Sequence, residues 1–294
     1  MFQLPVPISD YTTDLKSALD NSMRILQAML DICGEEAELR SALDVILLLQ
    51  CLLQGTHPAR SSLRVLPHLN HKSSSDKVLK RLEALGISSL PQLLEHESPV
   101  AVLSQGGLTD RQTREAFEVL QKLPKLRIHW KIYARKLEQG QGEEEDYKSV
   151  NEEEEVIYER IHPQRVITGD GEEVYIHHVE PGAELQLSVQ LSYANRPSTI
   201  AYTPRHHKQK TAGWFLLLGD ADEEVDELIA LRRAHMPKRN RADVTFDFSA
   251  PDVPDTTFVL TLYVCSDTYF GLDQEVKISI HTGGTSEGQR EFSC

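Results

Sequence analysis

TAGWFLLLGDADEEVDELIALRR (residues 211–233) and TTFVLTLYVCSDTYFGLDQEVKISI (residues 256–280) decide the fold class of this chain. Trp214, Phe215, Leu216, Leu217 and Leu218 form an unbroken apolar run between Gly213 and Gly219. A run of about 4–8 apolar residues between turn formers suits a strand buried in a sandwich core. An acidic turn follows, then a second apolar run, Leu228, Ile229, Ala230 and Leu231. Two strands joined by a polar turn predict a hairpin. The second stretch alternates: Phe258, Leu260, Leu262 and Val264 share one face, and Val259, Thr261, Tyr263 and Cys265 the other. Period two is the mark of a strand.

The same patterns predict strands around this pair, at 127–133, 156–161, 174–179, 184–191, 200–203 and 244–248. Gly, Pro, Asp and Asn lie between them, and many short strands at even spacing indicate an antiparallel sandwich. Residues 139–155, QGQGEEEDYKSVNEEEE, are low in hydrophobicity and high in charge, the composition of a disordered insertion. The N-terminal half reads differently. Leu15, Leu19, Ser22, Met23, Leu26, Met29, Leu30 and Cys33 follow helical spacing over residues 14–33, with Gly34 as the stop. Lys16, Asp20, Arg24, Gln27 and Asp31 form the opposite, polar stripe. A second helix, 38–53, is apolar nearly all round, which predicts burial in a bundle. Further helices fit 76–85, 91–95 and 109–123. Leu85-Gly86-Ile87 between two of them resembles a helix–hairpin–helix, whose glycine turn can offer N–H groups to a phosphate; a glycine helix stop is its ordinary explanation.

The 294 residues carry a formal charge of −14, and residues 143–155, with eight acids and one Lys, supply −7 of it. An acidic chain is a poor general nucleic-acid binder, because phosphate contacts need Lys and Arg, so any strand contact here is local. Four cysteines without C-x-x-C spacing indicate neither a zinc knuckle nor a disulfide frame, and reduced thiols suit the nucleus and cytoplasm. No window approaches the roughly 18 apolar residues of a membrane span, and no membrane insertion is expected. There is no G-x-x-x-x-G-K-[ST], no D-E-x-H box and no G-x-S-x-G elbow, so neither nucleotide hydrolysis nor acyl transfer is encoded. His177-His178 and His206-His207 are adjacent pairs; strand neighbours face opposite sides, so neither pair is expected to chelate a metal. No metal, no cofactor and no catalytic residue is predicted.

GWFLLLGD, ELIALRR and TLYVCSDTYFGLDQEVKISI resemble, in that order, the last β-domain of the Sec sixty-three homology unit. DYTTDLKSALDNSMRILQAMLDI followed by ILLLQCLLQG resembles the end of that unit's helical bundle. The unit closes each helicase cassette of the large Ski-two-like helicases, and the cointegrator-type members look most similar. It also forms the cytosolic part of a translocon protein. The resemblance implies an α+β fold in which an N-terminal helical bundle and a helix–hairpin–helix pack on a C-terminal immunoglobulin-like antiparallel β-sandwich. Its parts are a bundle remnant (1–58), a helix–loop–helix region (59–123), a sandwich (124–282) with the acidic insertion 139–155, and a flexible tail (283–294).

The resemblance further implies that the first helix lies along a translocating single strand of RNA or DNA, with Arg24 and Gln27 facing it; simple solvation is the alternative. Where relatives place a Trp after the Q-G, Thr56-His57-Pro58 stands here. Arg111 and Arg114, early in the 109–123 helix, are further candidates for strand contact. Lys122, Lys125, Arg127, Lys131, Arg135 and Lys136 cluster with Trp130 and Tyr133, a composition that suits either strand stacking or a solvated strand face. Arg205, Lys208 and Lys210 precede the Trp214 strand, and Arg232 and Arg233 end its hairpin partner. Their ends meet on one side of the sheet, so they are candidates for a joint docking patch. Asp267, Tyr269 and Asp273 belong to a structural word of the family and are expected to organise a loop. The expected function is a motorless helicase-associated module that braces motor domains or a helicase complex, guides a strand and docks proteins on the sandwich. The family setting implies ribosome rescue and repair of alkylated DNA. The alternative is a translocon-type interaction scaffold with no nucleic-acid role.

Overall fold

The computed structural model describes residues 8–70, 74–137, 156–167, 172–220, 226–236 and 240–283. The expected acidic insertion and the tail beyond Gly283 lie outside the described residues. Helices come first: α1 (Ser9–Glu35), α2 (Leu39–Gln54), α3 (Ser74–Ala84), α4 (Leu90–Glu95), α5 (Pro99–Gln105) and α6 (Asp110–Lys122). Strands follow: β1 (Leu126–Leu137), β2 (Val156–Ile161), β3 (Gln164–Ile167), β4 (Glu173–Val179), β5 (Glu184–Tyr193), β6 (Gly213–Asp220), β7 (Glu227–His235), β8 (Arg241–Ser249), β9 (Thr256–Ser266) and β10 (Gln274–Thr282). The fold is α+β with a C-terminal β-sandwich, its sheets ordered β2-β1-β5-β8 and β3-β4-β10-β9-β6-β7.

The chain divides into two compact units. The first comprises Met1–Arg127, Leu191–Ala242 and Leu262–Val276. Its core is one apolar cluster: Met23, Leu26, Leu30 and Cys33 of α1; Leu39, Ala42, Val45, Ile46, Leu49 and Leu53 of α2; Phe215 and Leu217 of β6; Leu228 of β7; and Cys265 of β9. Burying a large apolar side chain contributes roughly 1.5–3 kcal/mol, so this cluster dominates the unit's stability. α1 runs two residues past 33. Gly34 does not end it; a Cβ there would stand 3.6 Å from Leu231 of β7, an ordinary contact distance. α2 does end where the sequence indicates, at Gly55 with φ 59°. A left-handed residue costs glycine nothing and lets the chain turn off the helix axis.

β6 is buried along its whole length except Asp220 and pairs antiparallel with β7, as the apolar runs predict. Its register shifts between Leu218 and Gly219. The expected strand 200–203 is absent; only a single bridge joins Ile200 to Thr211. Thr203-Pro204 explains it, since proline has no N–H for a ladder, and Tyr202 N–H donates to the Tyr269 hydroxyl instead (2.9 Å).

The second unit comprises Ile128–Gln190, Asp243–Thr261 and Lys277–Cys294. Ile132, Leu187, Val189, Phe246, Ile278 and Ile280 are buried apolar residues of near-zero exposure there. β1 pairs antiparallel with β2, and β3 with β4. β10 pairs with β4 in parallel, Ser279–Thr282 against Ile176–Val179. An all-antiparallel sandwich was the expectation, but alternation marks a strand without giving its direction, and these two strands lie a hundred residues apart.

Candidate functional site

α1 places the candidate strand-binding residues. At 1.5 Å per residue its 27 residues extend roughly 40 Å. The stripe Met23, Leu26, Leu30 and Cys33 is in the core, and the polar stripe Asp20, Arg24, Gln27 and Asp31 runs along another face. Arg24 is exposed and Gln27 half-buried. On either side of them, two of the candidate docking cations come down on the helix. Lys208 Nζ lies 2.5 Å from Asp20 Oδ2, and His207 Nε2 lies 3.1 Å from Asp20 Oδ1. Arg233 Nη2 lies 2.6 Å from Asp31 Oδ1, with its guanidinium 5.5 Å from the Phe215 ring centre. Lys208 holds the Asp20 carboxyl below its usual range. The candidate strand face and the candidate docking patch therefore meet along α1. Asp20 and Asp31 are about 16 Å apart by helix rise, with Arg24 and Gln27 between.

The remaining patch residues separate. Lys210 is half-buried and Arg232 exposed, with Arg232 Nη1 donating to the Leu231 carbonyl (3.0 Å). Arg205 is a clamp. Its guanidinium donates to the carbonyls of Gln54 (3.4 Å), Gly55 (2.9 Å) and Asn70 (3.3 Å). α2 has no basic residue in its last turn, and a cation at a helix C-terminus offsets the negative end of the helix dipole. Arg205 supplies that cation from 150 residues away.

α6 carries the other two candidates. A capping box starts it, Thr109 accepting from Gln112 N–H while Gln112 reaches back to Thr109. Arg111 and Arg114 are both exposed. Arg111 Nε pairs with Glu115 Oε1 (2.8 Å), and Glu115 also meets His68 Nε2 (2.6 Å). Those contacts, Arg111 first, hold the Glu115 carboxyl low. Beside them is a cleft of about 550 Å³ lined by His68, Lys77, Val78, Arg81, Gly107, Leu108 and Gln112. The Lys77 and Arg81 side chains make it a basic hollow. The glycine hairpin itself has no free donors: Gly86 N–H goes to Glu83, Ile87 N–H to Leu82, Ser88 and Ser89 N–H to Gln92, and Leu90 N–H to Ser62. Gly86, at φ +83°, is a helix stop.

In the second unit, β1 alternates exposed Arg127, His129 and Lys131 with half-buried Trp130, whose ring stands 5.3 Å from that of His177. Arg135 pairs with Glu184 (2.7 Å). Arg127, His129, Lys131 and Arg135 form a solvated face. His177 and His178 face opposite sides of β4, as the spacing predicts: His177 is 2% exposed with Nδ1 at 3.3 Å from the Ser279 carbonyl, and His178 meets the His281 ring edge-on. Burial pushes the His177 imidazole below its ordinary value. Asp267, Tyr269 and Asp273 organise a loop as expected. Asp267 accepts from Gly213 N–H (2.7 Å), the Tyr269 hydroxyl accepts from Tyr202 N–H, and Asp273 accepts from Ser266 N–H (2.8 Å) and Gln50 Nε2.

α1 also bears a second apolar face, and it takes Leu15 and Met29 out of the expected core stripe. Tyr11, Leu15, Ile25, Met29 and Ile32 are exposed, Ile25 and Ile32 to 58% and 57%. Ile25, Met29 and Ile32 follow one another by four and three residues and so share one line of the helix, and Tyr11 and Leu15, four apart, precede them by a gap of ten. This is an apolar face separate from the core.

Residues 1–279 match the family described as the Sec63 Brl domain. The chain is 30% identical over 292 residues to the human activating signal cointegrator 1 complex subunit 3, covering 94% of this chain and 12% of that protein. It is 32% identical over 280 residues to the Dictyostelium discoideum protein of the same name. Against the Arabidopsis thaliana DExH-box ATP-dependent RNA helicase DExH14 it is 30% identical over 278 residues, 94% of this chain and 10% of that protein. The chain thus spans about an eighth of the length of the relatives it matches.

Proposed function

This chain belongs to the Sec63 Brl domain family, and on that premise we propose that it is the motorless C-terminal module of a Ski-two-like nucleic-acid helicase, guiding a single strand along α1 and docking proteins on its sandwich. The observation that carries the reading is the α1 polar face, where exposed Arg24 and half-buried Gln27 stand between two ion-paired points. Arg24 offers charge to a phosphate, Gln27 offers an amide to a base or sugar, and the flanking pairs hold the helix in place. Arg111, Arg114 and the basic hollow beside them supply a second contact for the same strand. The module turns over no nucleotide: its sequence lacks the elements that hold a triphosphate and magnesium.

The exposed residues Tyr11, Leu15, Ile25, Met29 and Ile32 are the surface offered for bracing the motor domains. The names of the relatives support this setting, one a helicase and the others subunits of a cointegrator complex. The work belongs to RNA or DNA unwinding in nucleus and cytoplasm, including ribosome rescue and repair of alkylated DNA.

Single-strand affinity of the reconstituted helicase tests the reading. Arg24→Ala should weaken binding about uniformly across sequences and lower the salt slope by about one counterion. Ile25→Asp with Met29→Asp should release the module from the motor while leaving its own helicity intact. Unchanged strand affinity in Arg24→Ala, Gln27→Ala and an α1 deletion would leave an interaction scaffold as the function.

A further inference from the structure

The turn between β5 and β6 brings together three ligand-type side chains, of which the strand-guiding reading uses only Asp20, through its pair with Lys208. Asp20 of α1 and the neighbours His206 and His207 each offer a ligand atom, and the three atoms lie within 4.8 Å of one another. The two imidazoles stand 4.9 Å apart, 35° from parallel. Strand neighbours would face opposite sides, but residues 204–208 form turns and bends, which removes the reason for expecting no chelation here. His207 Nε2 lies 3.1 Å from Asp20 Oδ1. His206 Nδ1 lies 3.0 Å from the Lys208 carbonyl oxygen and 3.3 Å from the Lys208 amide nitrogen. His206 Nε2 is enclosed and has no hydrogen-bond partner. Buried polar atoms are nearly always satisfied, so an orphan ring nitrogen beside a carboxylate and a second imidazole calls for an explanation.

The geometry points to a divalent transition-metal site, with zinc as occupant, formed by Asp20, His206 and His207 and completed by water. Two imidazoles and a carboxylate with a water are a common zinc donor set. With Nδ1–H donating to the Lys208 carbonyl, the shorter of its two contacts, neutral His206 carries its lone pair on Nε2. A ligating histidine ordinarily has its other ring nitrogen fixed in this way. Bonds of about 2.0–2.1 Å place tetrahedral ligand atoms roughly 3.3 Å apart, so the Asp20–His207 spacing already fits. The widest pair must close by at most about 1.5 Å, within the freedom of a turn.

Lys208 stands on the same carboxylate, with its side chain 62% exposed. It neutralises Asp20 when the metal is absent and can swing into solvent when the metal binds. Lysine and metal therefore compete for one carboxylate. The bound metal clips the turn to α1 four residues before Arg24.

The test is titration of the full chain, stripped with chelator, with ZnCl2 by calorimetry and with CoCl2 by visible absorption. One equivalent should bind, with tetrahedral cobalt bands, and zinc at a hundred times Kd should raise Tm by roughly 5 °C. His206→Ala and Asp20→Asn should each weaken binding on the order of 10- to 100-fold. Lys208→Ala should tighten it, a gain that does not depend on a destabilising change. Absence of zinc binding by the full chain, or binding that is equal in wild type, His206→Ala and Lys208→Ala, would overturn the assignment.

Discussion

Arg205 shows how one side chain can hold three pieces of chain. Its donors reach the last carbonyls of α2 and the carbonyl of Asn70. Hydrogen bonds from a charged group contribute about 1.5–3 kcal/mol in total effect when their loss strands the partners. Arg205→Ala should therefore lower stability by about 2–3 kcal/mol, read as a fall in urea midpoint at unchanged slope. Arg205→Lys should recover less than half, because a point charge cannot span three acceptors as a planar fork does. His177 gives the pH counterpart. Its imidazole is 2% exposed, packed against Trp130, and burial lowers its pKa in the folded state from the ordinary 6.5. The unfolded chain then binds the proton first, so this contribution to stability is complete above about pH 6.5 and declines as pH falls below it. His177→Phe should flatten the difference in thermal midpoint between pH 7 and pH 5 relative to wild type. The opposite faces of His177 and His178 were legible, because period two is local. The clamp by Arg205 was not, since its acceptors are fixed only by the tertiary fold. Residues 206 and 207 sit in bends rather than in a strand, so strand alternation does not reach the His206–His207 pair.

At the scale of elements, α1 shows what periodicity resolves and what it does not. Helical spacing marks Leu15 and Met29 as apolar positions like Leu26 and Leu30, yet the first two are 46% and 43% exposed while the last two are buried. Spacing tells which residues share a face, but only the neighbours α2, β6 and β7 decide which face is covered. β3 and α5, four and seven residues long, were not anticipated. Gly219 is the converse, a single residue that an element depends on. At the register shift of the β6–β7 hairpin, a Cβ there would stand 2.5 Å from the Glu227 carbonyl oxygen and 2.9 Å from Leu39 Cδ2. The first is backbone and cannot rotate away. Gly219→Ala should cost about 1–3 kcal/mol by overpacking, and the loss should appear as faster amide exchange in β7, whose pairing must shift to admit the methyl. Gly34→Ala, with Leu231 at 3.6 Å, meets ordinary contact and should leave stability within about 1 kcal/mol.

The whole molecule was legible in its order of parts, helices then a sandwich, because helical and strand periods differ and the two halves use them separately. What the order of parts conceals is how the first unit is closed. Its core draws Met23, Leu30, Leu39, Ile46 and Leu49 from the helices, and Phe215, Leu217, Leu228 and Cys265 from chain that follows residue 190. Residues 124 onward thus complete a core that the helices only begin. At roughly 2 kcal/mol each, the four later side chains contribute on the order of 8 kcal/mol, comparable to the full stability of an ordinary domain. A fragment ending at residue 123 should therefore fail to reach a folded state. Alone, it should bind ANS and lack near-ultraviolet circular dichroism, although α2, apolar nearly all round, retains partial helicity. The chain covering residues 1–283 should unfold cooperatively in the same buffer. A cooperative, ANS-silent 1–123 fragment would mean that the helices close their own core, and that the strand-guiding helix α1 can hold its shape without β6 and β7 beneath it.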